Sequence, residues 1–320
     1  MTPAALVILA IKVSLALTVL AVGMRSRAGD HLWLVRRPSL LARTIISMNV
    51  MMPLVAVLMV SLLQLSPPVK IALVALSMSP VPPLFPPKVL ASGGSASYAV
   101  SLLGTVAVFS VVLVPLSVWA IGRLFATPAQ IPPRMILELV GPIILLPLLA
   151  GGLIRRFAPT FATKSLKPTE TVATWLLRLA IIPVLIVSWP AVRELLGNGT
   201  LLAMLVMCFA GLAIGHYAGG PDDDHRTVLA LATAVRHPGV AIAIGQAAFP
   251  DNDVLRAAVL LTVLVVALAT MPYASWAERH QWERRRRSIQ LSGRRATVAR
   301  PAYHGRERRA NSARGGDRRQ

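Results

Sequence analysis

The sequence predicts an all-α integral membrane protein with about nine transmembrane helices, arranged as an inverted repeat with two discontinuous, crossing helices. Its 320 residues are 55% hydrophobic and 14% charged, whereas a soluble domain carries about 25% charged residues. The apolar residues gather into runs that match the roughly 20 helical residues needed to cross a bilayer. Backbone polar groups in lipid must be paired within the span, and the runs do not alternate as barrel strands do, so the spans are predicted to be helices.

The predicted spans are separated by short connections and cover residues 4–24, 40–63, 69–103, 105–125, 135–154, 171–189, 200–217, 227–249 and 254–276. The first repeat is predicted to occupy residues 1–126 and the second residues 135–276, within one transmembrane domain of residues 1–276. Residues 277–320 contain fourteen arginines and few apolar residues. This composition predicts a disordered tail, which we interpret as a cytoplasmic segment that contacts anionic lipid headgroups rather than nucleic acid.

The distribution of basic residues predicts the orientation. The loops after the first and fifth spans are rich in Arg and Lys, and nine spans place both loops on the side of the arginine tail (Arg25, Arg27, Arg36 and Arg37; Arg155, Arg156, Lys164 and Lys167). Basic loops stay in the cytoplasm. The sequence therefore predicts a multi-pass protein of the cell inner (plasma) membrane, with the N-terminus outside and the C-terminus in the cytoplasm.

Two spans carry helix breakers at matching positions in the two halves. The third contains 79-Ser-Pro-Val-Pro-Pro-83, Pro86-Pro87 and Gly93-Gly94, and the eighth contains Arg236-His237-Pro238-Gly239. Proline removes a backbone donor and clashes with the preceding turn, so neither segment continues as one helix. Interrupted spans at corresponding positions indicate the binding site of a secondary transporter.

Ionisable residues at membrane depth are costly and indicate function. All those predicted at this depth are basic or histidine, and no carboxylate lies at comparable depth (Lys12, Lys88, Arg178, Arg236 and His237). Such a set of cations predicts an anionic substrate. For Lys12 a position near a helix end, with the ammonium reaching the interface, is the alternative. Polar residues beside the breaks or within a span complete the candidate substrate-binding set: Ser95, Ser97, Tyr98, Thr233, Gln246 and Asn49.

Seven short stretches form a recognisable pattern. Three lie in the first half of the chain and four in the second: Met52-Pro53-Leu54, Leu65-Ser66-Pro67-Pro68 and Gly93-Gly94-Ser95-Ala96-Ser97; then Arg226-Thr227, Ala232-Thr233, Arg236-His237-Pro238-Gly239 and Phe249-Pro250. In this respect the chain resembles the bile acid:sodium symporter family, over most of residues 1–276. The resemblance implies a panel domain and a core domain, a substrate bound where two discontinuous helices cross, and alternating access.

The chain departs from the pattern of that family at both crossings. Family members have Gly-Gly-Thr-Ala-Ser-Asn at the first crossing, where we align Gly93-Gly94-Ser95-Ala96-Ser97 and Tyr98. At the second they have Glu-Thr-Gly-x-Gln-Asn, whose acid and amides coordinate sodium; here Ala232, Arg236 and His237 stand in those places. The resemblance therefore implies the fold and an anionic substrate, but not the family's usual coupling to sodium.

The sequence thus predicts a secondary transporter of a small organic anion, with protons or sodium as the candidate coupling ion. A membrane receptor or scaffold that keeps the fold without transport, and an auxin-efflux-like carrier, are the alternatives. An enzyme is not predicted, because paired acids or clustered histidines at depth are missing from the sequence. No cofactor and no metal ligand set is predicted, and the single cysteine, Cys208, excludes an intrachain disulfide.

Overall fold

A computed structural model describes residues 3–27, 29–124, 131–197, 199–248 and 253–283. All regular structure in these ranges is helical. The first half begins with α1 (Pro3–Arg25), and a π-helical turn at Ser47–Met51 joins α2 (Pro38–Ile46) to α3 (Met52–Leu62). It continues with α4 (Pro67–Met78), α5 (Phe85–Ala91) and α6 (Ala96–Leu124).

The second half of the chain also consists mainly of apolar helices. A π-helical turn at Gly141–Leu145 joins α7 (Pro133–Val140) to α8 (Leu146–Phe157), and α9 (Pro159–Leu195) follows. The chain then forms α10 (Thr200–Ala218), α11 (Asp223–Ala234), α12 (Pro238–Ala248) and α13 (Asp253–Ala269). Helical structure resumes after a turn at Thr270, so that the last apolar span runs over Val254–Glu283.

The number of spans is smaller than predicted. Seven helices in the described part of the chain are long and apolar enough to cross a membrane, and α9, which bends by 57° between Pro159–Val184 and Ile186–Leu195, can be counted as an eighth. The predicted count of nine is not confirmed. Its third span corresponds to the short helices α4 and α5, because the proline-rich segment between them interrupts the helix.

Two predicted boundaries are wrong. The third and fourth spans were separated at Gly104, but α6 runs without interruption from Ala96 to Leu124. One glycine weakens a helix by only about 1 kcal/mol, and at this position it faces the side chain of Leu148. Residues 277–283 are helical rather than disordered, because this stretch contains neither glycine nor proline. The predicted ends at residues 125 and 249, and the tail from residue 284, lie outside the described residues.

Small residues allow the helices to approach closely. A Cβ atom added at Gly23 or Gly151 would meet the backbone of the facing helix, so α1 and α8 are in backbone contact. Gly211 and Gly215 of α10 meet the backbone of α11 in the same way. Such contacts between small residues are what holds helices together in a membrane, where dispersion rather than the hydrophobic effect provides the attraction.

The loop after α1 is anchored to the helices around it. Ser101 accepts a hydrogen bond from the backbone N–H of Leu34 and donates one to the carbonyl of His31. Burial lowers the pKa of His31, and the neighbouring carboxylate of Asp30 offsets only part of that effect. His31 is therefore neutral at pH 7, and the loop is held in place without an added charge.

Candidate functional site

The two breaks contact each other. α4 ends at Met78 and α11 at Ala234, and the residues that follow, Ser79 (φ −77°, ψ 150°) and Val235 (φ −97°, ψ 125°), are extended. The backbone N–H of His237 donates to the carbonyl of Pro80 at 2.8 Å. On one side of this contact α4 packs against α12, and on the other α5 packs against α11. The two interrupted segments therefore cross at Ser79–Pro80 and Val235–His237.

A cavity of about 490 Å³ lies beside the crossing. Its walls come from α1, α3, α4, α5, α7, α10, α11, α12 and α13, together with both breaks and the π-helical turn after α7. Most of the lining is apolar, as Ile11, Leu76, Phe85, Ile143, Ile242 and Val266 illustrate. The volume falls within the roughly 300–1,000 Å³ range of small-molecule sites. The apolar lining favours a ligand with a hydrophobic body.

The charged and titratable residues that line this cavity are Lys12, Lys88, Arg236 and His237, and no Asp or Glu is among the described residues that line it. Lys12 is exposed, Lys88 is half-buried, and Arg236 and His237 are each only 5% exposed. A cation that is removed from water without a counter-charge costs several kcal/mol. A ligand with an anionic group compensates for that cost, so the cavity is suited to an amphipathic anion.

Arg236 is held by backbone carbonyls. Its Nε donates to the carbonyl of Thr233 at 3.1 Å, and its two terminal nitrogens donate to the carbonyls of Ser79 at 3.1 Å and Met48 at 3.0 Å. These carbonyls are available because Thr233 lies in the last turn of α11, Ser79 follows the end of α4, and Met48 lies in a π-helical turn. Three of the five guanidinium N–H groups are used in this way, and two remain for a ligand.

The hydrogen bonds of His237 define its tautomer. Its Nδ1 accepts a hydrogen bond from the backbone N–H of Val240 at 3.3 Å, so in the neutral ring the proton is on Nε2. Nε2 is buried and has no hydrogen-bond partner in the described part of the protein. The ring lines the cavity together with Pro238 and Gly239, the first turn of α12. An unpartnered N–H donor and a positive helix end therefore lie beside Arg236.

The other predicted site residues do not line the cavity. The hydroxyl of Thr233 donates to the carbonyl of Leu229 within α11, so Thr233 contributes its carbonyl rather than its side chain. Asn49 donates to the carbonyl of Ile45 at 3.3 Å, and Gln246 is half-buried in α12. Arg178 is exposed on α9, with its guanidinium 5.2 Å from the ring centre of Trp175.

The polar residues after Gly93-Gly94 lie away from the crossing. Gly93 has a φ of 81° and lies in the turn between α5 and α6. Ser95 lies just before α6 and Ser97 in its first turn, and both are half-buried. The Oγ of Ser95 accepts a long hydrogen bond of 3.4 Å from the backbone N–H of Tyr98. Tyr98 is fully buried, bonds to the hydroxyl of Thr44 at 2.7 Å and stacks on Trp33. Its hydroxyl is therefore used in packing the fold.

Sequence reasoning missed the position of the first crossing. The family's crossing motif was aligned with Gly93-Gly94, but the break that meets the second half is at Ser79–Pro80. The sequence did contain a signal for the observed position, because Pro80 is the first proline after an apolar run. The glycine pair, which matches the family's motif letter by letter, instead forms the turn that starts α6.

The model of the sodium bile acid symporter family matches residues 12–192, which is more than half of the chain and includes the first break. No curated protein matches the chain. The family consists of membrane transporters of small solutes and not of enzymes. The extent of this match, together with an all-helical fold and several apolar spans, shows that the chain belongs to the sodium bile acid symporter family.

Proposed function

We propose that the chain is a secondary transporter of a small, amphipathic organic anion, and that Arg236 takes the place of the sodium ion at the crossing. One observation carries the proposal: a buried guanidinium, bonded to two carbonyls at the helix breaks and a third in a π-helical turn, lines an apolar cavity. No carboxylate among the described residues forms an ion pair with it. The positive charge is therefore available to a ligand.

The nature of the three carbonyls supports the substitution. Carbonyl oxygens freed at helix ends and breaks are the ligands that a transporter of this kind offers to sodium. Here they bind a guanidinium, and Ala232 stands where the family has its acidic ligand. A sodium ion within a few ångströms of Arg236 would be repelled by about 4 kcal/mol at 4 Å with an effective dielectric constant of about 20. Coupling to sodium in the usual way is thus disfavoured at this site.

The arrangement of the half-helices supports an inverted repeat with alternating access. The contacts of α4 with α12 and of α5 with α11 are those expected when two broken helices each cross the membrane and meet at its middle. In this proposal α4 and α5 together form a ninth transmembrane span. The N-terminus is then outside, and the C-terminal tail is cytoplasmic and contacts anionic headgroups of the inner (plasma) membrane.

Cysteine labelling tests this orientation. The only native cysteine, Cys208, is buried. A cysteine placed at Arg36 should therefore resist an impermeant maleimide in intact cells and react after permeabilisation, because basic loops remain in the cytoplasm. A cysteine at Leu63, which follows α3 at the opposite end of the span, serves as the control and should react in intact cells. Labelling at position 36 from outside would contradict the proposal of nine transmembrane spans.

Counterflow in proteoliposomes separates a transporter from a receptor or scaffold with the same fold. Vesicles loaded with unlabelled decanoate or sebacate should accumulate the radiolabelled anion from outside faster than vesicles without protein. Exchange through the protein requires both substrate binding and alternating access. Binding of these anions without any protein-dependent exchange would favour the receptor over the transporter.

A further inference from the structure

A second, half-buried cation lines the same cavity on a different element. Lys88 lies on α5 and reaches across to the turn that follows α13, where its Nζ donates to the hydroxyl of Thr270. That hydroxyl donates its own hydrogen to the carbonyl of Val266 at 2.7 Å, which leaves its lone pair for the ammonium. One of the three ammonium N–H groups is thus used, and two remain for a ligand.

The proposed replacement of a sodium ion by Arg236 does not explain the positive charge of Lys88. Arg236 replaces one sodium ion, whereas Lys88 adds a further positive charge to the same cavity. Its partner is a neutral hydroxyl, and the described lining of the cavity holds no carboxylate. A half-buried ammonium with no counter-charge is costly. The ligand is the remaining source of a compensating negative charge.

The two cations lie on different elements of the cavity wall. Arg236 lies at the break between α11 and α12, and Lys88 lies one turn after the start of α5. The lining of the cavity around them is apolar, with Leu76, Phe85 and Ile242 among its residues. Two cations on different elements, each with N–H groups left for a ligand and with apolar residues around them, suit a ligand that carries two anionic groups on an apolar frame.

We propose that the substrate class is a dianion whose two anionic groups are joined by a hydrophobic body, with one group bound by Arg236 and the other by Lys88. This inference rests on the proposed function, because it assigns the same cavity to the substrate. It makes Lys88 a specificity-determining residue. Lys164, which is exposed on α9 and does not line the cavity, serves as the comparison, since an exposed ammonium outside the site contributes little to binding.

Calorimetric titration of the full chain in lipid nanodiscs tests the inference, with empty nanodiscs as the blank. The probes are the linear dicarboxylates from adipate to dodecanedioate, each paired with the monocarboxylate of the same length. At one chain length the dicarboxylate should bind at least about tenfold more tightly than its partner, which corresponds to about 1.4 kcal/mol. An optimum in chain length is expected because both ends must reach fixed cations.

Variants assign that preference to Lys88. Lys88→Gln should abolish the advantage of the dicarboxylate while monocarboxylate affinity changes by less than about threefold, and Lys88→Arg and the control Lys164→Gln should retain the advantage. Equal affinity for both probe classes in the unaltered protein would overturn the inference while leaving anion binding intact. An equal loss for both classes in Lys88→Gln would overturn it too, since both cations would then bind one carboxylate. Failure of the unaltered protein to bind any probe would contradict the proposed function itself.

Discussion

Replacing Arg236 with Gln, the residue with which the resemblance to the family aligns it, is expected to weaken anion binding by roughly tenfold to a hundredfold. A hydrogen bond to a charged group contributes about 1.5–3 kcal/mol, and each 1.4 kcal/mol is a factor of ten in affinity. The side chain is 5% exposed and lines the cavity, so its charge is little screened by water. Titration of sebacate and decanoate into the nanodisc-embedded protein measures the loss.

Two further variants separate lost binding from lost folding. Arg178→Gln is the matched control, because it removes an arginine that is exposed on α9 and lies outside the cavity; its affinity should equal that of the unaltered protein. Arg236→Lys retains the charge but cannot reach all three carbonyls, so we expect it to bind more tightly than Arg236→Gln. The melting temperature without ligand reports any loss of the carbonyl contacts. Unchanged affinity in a folded Arg236→Gln protein would show that the guanidinium serves only to pack the crossing.

His237→Asn is expected to weaken binding by about tenfold, whereas His237→Gln should bind nearly as well as the unaltered protein. The Asn amide oxygen corresponds to Nδ1 and can still accept the hydrogen bond from Val240, but no donor remains at the position of Nε2. The Gln amide nitrogen reaches the position of Nε2 and restores that donor. A hydrogen bond from a buried donor to an anion contributes about 1.5 kcal/mol or more.

The comparison of the two variants identifies which ring nitrogen matters. If the role of His237 is to cap the first turn of α12 through Val240, the order reverses, and the Gln variant is the weaker binder and the less stable protein. Equal affinity of both variants with the unaltered protein would exclude His237 from the site. Titration with the same two carboxylates, beside melting temperatures without ligand, decides between these outcomes.

The sequence was sufficient to place the two breaks, because proline acts locally. Pro80 and Pro238 lack the backbone donor that a continuous helix needs, whatever packs around them. The concentration of cations at membrane depth was equally visible, since an apolar run makes each charged residue conspicuous. Arg236 and His237 were therefore predicted, and the structure brings them together with Lys12 and Lys88 in one cavity.

Other features depend on contacts that the sequence does not contain. Gly104 was interpreted as the end of a span, but it lies within α6, where its small size accommodates Leu148. Pro86 and Pro87 were interpreted as part of a break, but they occupy the first turn of α5, where a missing N–H is not needed. Glycine and proline were both taken as helix breakers, but Gly104 lies inside a helix and Pro86 and Pro87 lie in the first turn of one.

The direction of a side chain is the other quantity that the sequence left open. Lys88 and Arg178 were both predicted at membrane depth, and only Lys88 points into the cavity, because Arg178 lies on an exposed face of α9. Ser95, Ser97 and Tyr98 were predicted because they follow the Gly93-Gly94 pair. The structure places Ser95 just before α6 and the other two in its first turn, and none of them lines the cavity.

Counterflow of sebacate with and without sodium tests the central claim most directly, because exchange at equal salt on both sides needs no gradient. Sodium chloride is replaced by choline chloride inside and outside the proteoliposomes, and the initial rate of exchange is measured. If Arg236 replaces the ion, the rate in choline should equal the rate in sodium within about twofold, a difference below 0.5 kcal/mol. Loss of exchange in choline, with recovery on addition of sodium, would show that the ion is still required and would contradict the account.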